Sequence, residues 1–139
     1  MTAKTIFKLH SRPGAEHTIF VDFDGGTIKQ TAWNTYYGTP VWNAVAYDTD
    51  GKKNSFSNDE ISDMAEIWQQ VAEDYIPFDV DVTTEDPGKL GPTIGWILVT
   101  SSKDANARPM PEPGAGGVSY LNTFGFGQTA FYSPIFVYY

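Results

Sequence analysis

Between Ser57 and Thr84 the chain reads SNDEISDMAEIWQQVAEDYIPFDVDVTT, and this stretch constrains the fold more than any other. Apolar residues at Ile61, Met64, Ala65, Trp68, Val71, Ala72 and Tyr75 recur with the spacing of one helix face. Ser57 and Glu60 stand at capping-box spacing, so each side chain can satisfy a backbone amide of the other. Phe56 and Ile61 flank that cap as a hydrophobic staple, and Asp59 and Glu60 put negative charge at the positive end of the helix dipole. Pro77 stops the helix, because its ring clashes with the preceding turn and pushes Ile76 towards extended angles. Phe78, Val80 and Val82 then alternate with Asp79, Asp81 and Thr83, the period of a half-buried strand. Helix, proline turn and strand together predict the unit around which a sheet is assembled.

The rest of the chain supplies the other strands. A length of 139 residues fits a single domain, 1–139, with a core of its own, while 13 glycines and 9 prolines imply many turns. Residues 5–9 read as a short strand, followed by the polar loop HSRPGAEH. Residues 18–24 (TIFVDFD) read as a strong strand with Ile19, Val21 and Phe23 on one face, broken by Gly25-Gly26. Residues 27–47 alternate only weakly, as in a hairpin or a loop-rich insertion, and Asp48-Thr49-Asp50-Gly51 is a turn. IGWILVT, 94–100, has the continuous apolar character of a strand buried on both faces. Residues 101–115 read as a long surface loop, GVSYLN (117–122) as a shorter strand and TFGFGQ (123–128) as an aromatic-glycine turn. PIFVYY, 134–139, is a last strand; an apolar edge of this kind calls for a further segment or another molecule to pair with it.

Charge and composition exclude several function classes. A net charge of −8 is unsuited to nucleic-acid recognition, which needs clustered Lys and Arg. With no cysteine, thiol catalysis and thiolate metal sites are ruled out. No apolar run approaches membrane-spanning length, so no membrane partner is expected. No signal peptide precedes Met1, so export requires that a signal has already been removed.

Few residues offer chemistry. Asp22-Phe23-Asp24-Gly25 at the end of an apolar strand is similar to the nucleophile motif of haloacid-dehalogenase-like phosphatases, with Thr27 one residue late and no downstream acidic pair for magnesium. The alternative reading makes Asp22 and Asp24 strand-end carboxylates that accept turn amides or bind calcium weakly. Asp48, Asp50 and Gly51 begin like an EF-hand loop, but Lys52 occupies the fifth position and Glu60 falls one residue late; they are a turn and candidate weak calcium ligands. Asp79 and Asp81 read as solvent-facing strand carboxylates. His10 and His17, the two histidines, frame a Pro-Gly turn and match neither a zinc-protease motif nor a Ser-His-Asp arrangement. These 139 residues hold no complete active site: neither catalytic residues nor zinc ligands can be assigned.

Three blocks, FKLHSRPGAEHTIFVDFDGG, AYDTDGKKNSF and IWQQVAEDYIPFDVDVTTEDP, together with GGVSYLNTF and PIFVYY, resemble secreted bacterial zinc metallopeptidases of the metzincin, reprolysin-like type. The resemblance runs over almost the whole chain. It implies an α/β fold: a twisted, mixed five-stranded sheet with one main amphipathic helix behind it, the upper subdomain of such an enzyme. It also implies that the antiparallel edge strand, Gly117, Val118, Ser119, Tyr120, Leu121 and Asn122, pairs with an extended peptide substrate. The helix carrying HExxHxxGxxH, with the zinc ligands and the general-base Glu, lies beyond Tyr139 in that family. The expectation is therefore the N-terminal part of a secreted zinc endopeptidase, inactive and zinc-free as this chain, partnered by the rest of its catalytic domain. A non-enzymatic alternative is self-assembly, in which the PIFVYY or GVSYLN edge pairs with another copy.

Overall fold

Helix α2 forms over Asn58–Asp74, where the periodicity places it. Ser57 Oγ accepts from the Glu60 amide at 3.2 Å, and the Glu60 carboxylate accepts from the Ser57 amide at 2.8 Å, closing the expected box. Tyr75 leaves helical angles two residues before Pro77, as the ring requires. In this computed structural model residues 1–125 and 127–139 are described. Among them no helix is long and apolar enough to cross a membrane.

Five strands make the main sheet: β1 (His17–Asp22), β4 (Val80–Thr83), β5 (Ile94–Thr100), β6 (Gly117–Val118) and β7 (Ile135–Tyr138), in the order β4-β1-β5-β7-β6. β4, β1, β5 and β7 run parallel, and β6 lies antiparallel on the edge beside β7. The register sorts the side chains into two faces. Ile19, Val21, Phe23, Val80, Val82 and Val99 pack with Ile61 and Met64 of α2, whose Trp68 indole N–H donates to the Val82 carbonyl at 2.8 Å. A helix is about 10 Å across and strands lie about 4.8 Å apart, so one helix covers about two strands. α2 sits over the β4–β1 half, and Ile135, Val137 and Tyr139, on the same face of the sheet, are left 38%, 38% and 47% exposed.

The opposite face is closed by the insertion between β1 and α2. It is a two-stranded antiparallel hairpin, β2 (Gly26–Lys29) and β3 (Val41–Ala44), with the short helix α1 (Ala32–Tyr37) between its strands. Ile28, Trp33 and Trp42 from this insertion bury Leu98, Met110 and Phe136. Gly25 makes the approach possible: its φ is +74°, and a Cβ there would lie 2.5 Å from the Ala44 carbonyl oxygen.

Three local expectations are corrected, and a fourth gains detail. Residues 5–9 hold a 3-10 helix, Ile6–Lys8, because this segment packs as a plug under α2 instead of pairing. β4 is buried on both faces, since residues 9–12 lie along it and cover Asp81. The segment 101–115 is the expected surface loop, anchored by buried Asp104 and Met110. PIFVYY is not an open edge: β7 lies between β5 and β6. The turn expected over 123–128 includes Phe126, which lies outside the described residues.

Candidate functional site

The free edge of the sheet is β6, and its geometry follows from glycine. A Cβ at Gly117 would stand 2.8 Å from the Phe136 carbonyl oxygen, so only glycine lets this strand approach β7 closely. The Tyr138 amide donates to the Gly116 carbonyl at 2.9 Å, and Val118 lies opposite Phe136. Antiparallel pairs alternate between bonded and non-bonded, so the N–H and C=O of Gly117 point away from β7. Of the six residues expected to form this edge, Gly117 and Val118 are in the strand, while Ser119, Tyr120, Leu121 and Asn122 leave it. Leu121 is 84% exposed, and Asn122 has φ +57°, a left-handed residue that ends any ladder there.

Support for the edge comes from Tyr120, one of the six expected edge residues, and from Trp33 and Tyr132, which carry no motif of their own. The Tyr120 ring lies 4.3 Å from Trp33 and 5.2 Å from Tyr132, and the Trp33 indole donates to the Pro134 carbonyl at 2.9 Å. Trp33 thus ties the α1 insertion to the chain entering β7. The weak alternation of residues 27–47 was the available signal: aromatic side chains in a segment with no clean strand period have to pack somewhere.

The four aspartates considered for calcium do not share one site. Asp48 and Asp50 come together with Glu60, their carboxylate oxygens within 4.8 Å of one another, the one such trio of metal-ligand side chains among the described residues. Most of that oxygen capacity is already used. Glu60 Oε1 accepts from the Thr49 amide at 2.6 Å; Asp48 Oδ1 accepts from the amides of Asp50 and Gly51, and Asp50 Oδ1 from that of Lys52. Amides of Thr49 and Ser57 hold the fully buried Glu60 carboxyl below its usual range. The donors are the hard oxygens a calcium ion takes, while the bonds present are those of a turn locked to a helix cap. Asp24 and Asp48 both line a cavity of about 710 Å³ at the carboxyl ends of β1 and β5, with Lys53, Lys103 and Tyr139.

Asp22 faces the other way, into a smaller pocket with Trp96 and Leu90. Its Oδ2 accepts from the Trp96 indole at 2.9 Å and its Oδ1 from the Asp24 amide at 3.1 Å. Burial, reinforced by the neighbouring Asp24 side chain, pushes this carboxyl up to about 8. A phosphatase nucleophile has to be ionised and open to phosphorus, and this environment favours neither. The histidines are apart in role. His10 lies between two carboxylates, and His17 meets the Phe124 ring edge-on at 5.5 Å.

No family model, curated protein or solved structure matches this chain.

Proposed function

We propose that this chain is the N-terminal part of the catalytic domain of a secreted zinc-dependent endopeptidase of the metzincin type, without activity of its own. The observation that carries the reading is the β6 edge: a short antiparallel strand at the margin of an otherwise parallel sheet, with the Gly117 N–H and C=O facing outward. An extended peptide laid beside it gains main-chain hydrogen bonds without regard to its side chains, which is how a protease holds varied substrates. Gly117 and Val118 form the pairing register, and Ser119 to Asn122 flank the bound peptide where it leaves the strand.

The half-covered face supports the same reading. Ile135, Val137 and Tyr139 form a band beside α2, and a second amphipathic helix lying parallel to α2 would close it. In the proposed enzyme that helix carries HExxHxxGxxH. It would hold the zinc and the general base, and the metal would there supply Lewis-acid activation of water for hydrolysis. The chain itself orients substrate and contributes no ligand to the zinc.

The test is the coding sequence downstream of Tyr139, followed by assay of its product. The expected result is HExxHxxGxxH within a few dozen residues, and a longer polypeptide that cleaves a fluorogenic peptide until zinc is chelated. A stop codon directly after Tyr139, or a longer polypeptide whose downstream segment lacks the motif, overturns the proposal.

A further inference from the structure

We propose that His10 is a latch that closes when its ring is doubly protonated, holding residues 9–12 as a strap along the outer edge of β4. The strap runs antiparallel to β4 in the register of a strand pair, with His10 opposite Thr83. The Ser11 amide donates to the Val82 carbonyl at 3.0 Å, and the Thr84 amide to the Leu9 carbonyl at 3.1 Å. The reciprocal bonds of a regular ladder are replaced by hydroxyls: the Val82 amide donates to Ser11 Oγ, and the Leu9 amide to Thr84 Oγ1. This is a strand pairing made in part by side chains, so it depends more than an ordinary ladder on what holds the strap in register.

Charge holds it. Asp79, Asp81 and Glu85 share one side of the β4 segment, and the strap lays Arg12 and His10 against them. Arg12 Nε lies 3.5 Å from Asp79, and the Arg12 amide donates to Asp81 Oδ1 at 2.9 Å. His10 Nδ1 is 2.6 Å from Asp81 Oδ2, and His10 Nε2 is 2.8 Å from Glu85 Oε2. Both ring nitrogens therefore face acceptors, and an imidazole can satisfy two carboxylates only as the cation with two N–H donors. A neutral ring leaves one carboxylate facing a bare nitrogen, and Arg12 as the remaining cation against three acidic side chains. The hydrogen bonds that the ring donates to Asp81 and Glu85 raise the His10 pKa above its ordinary 6.5, against a partial loss from burial. Because the folded value is the higher one, the latch is fully closed below about pH 6.5 and opens as pH rises through the folded value. An open strap leaves β4 as an unpaired edge.

Amide hydrogen exchange on the whole chain tests this. Between about pH 6 and pH 9, after correction for intrinsic exchange, protection of Ser11 and Thr84 is expected to fall about tenfold or more, with the α2 amides unchanged. His10→Gln, which cannot carry the charge, is expected to show low protection at both pH values. Two results overturn the proposal: wild-type protection at these amides that does not change with pH, or the same pH response in His10→Gln. The wild-type series stands alone if the variant fails to fold.

Discussion

At Gly117 a single hydrogen occupies the place where any other residue puts a carbon 2.8 Å from the Phe136 carbonyl oxygen. Gly117→Ala is therefore expected to push β6 off β7 and lower stability by about 1–3 kcal/mol, read as a shift in urea midpoint. An unchanged midpoint means that the edge strand gives way freely. Asp22 has the opposite kind of constraint, a carboxyl that burial keeps protonated. Its folded value of about 8 lies above the ordinary 3.8, so across that window the folded chain binds the extra proton and stability falls as pH rises. Asp22→Asn removes this contribution: between about pH 5 and pH 8 its melting temperature should fall less than that of the wild type, the remaining fall being that of His10. Equal declines in both proteins count against it. The residue scale was legible where partners are close in sequence, as for Ser57 and Glu60. It was not legible for Asp81, whose partner His10 lies 71 positions away and turns an expected solvent-facing carboxylate into a buried one.

Elements divide along the same line. α2 is fixed by its own periodicity and cap, and it lies where the pattern predicts. The cap also shows which of its partners matters more. Ser57→Ala removes one hydroxyl from one amide and is expected to cost about 1 kcal/mol. Glu60→Ala leaves the amides of Thr49 and Ser57 without their acceptor in a buried site, so about 2–3 kcal/mol or more is expected. Thermal melts of the two variants decide it, and equal losses contradict the double role of Glu60. β4 and β6 were legible as strands but not in their limits. The burial of β4 comes from the strap laid over it, and β6 ends after Val118 because Tyr120 turns in to pack on Trp33. The 3-10 helix at Ile6–Lys8 replaced an expected strand because Ile6 is needed in the core under α2.

For the molecule as a whole, strand order is decided by contacts that no local pattern encodes. The expectation of a mixed five-stranded sheet with a helix behind it agrees with the structure, and it came from a resemblance to a family, not from periodicity. PIFVYY misled because its apolar character is that of an interior strand, and the two-residue strand that covers it carries little signal of its own. The same sheet leaves one face half covered, with Ile135, Val137 and Tyr139 beside α2. The helix of the proposed function would lie on that face, and the outward edge of Gly117 would face its substrate.

Zinc content measures this most directly. The 139-residue chain and a polypeptide extended through the downstream coding sequence should be purified without chelator, and the metal counted per chain. The account predicts about one zinc in the extended polypeptide and none retained by the shorter chain. Stoichiometric zinc held by residues 1–139 alone, or a folded extended polypeptide that binds none, would contradict it.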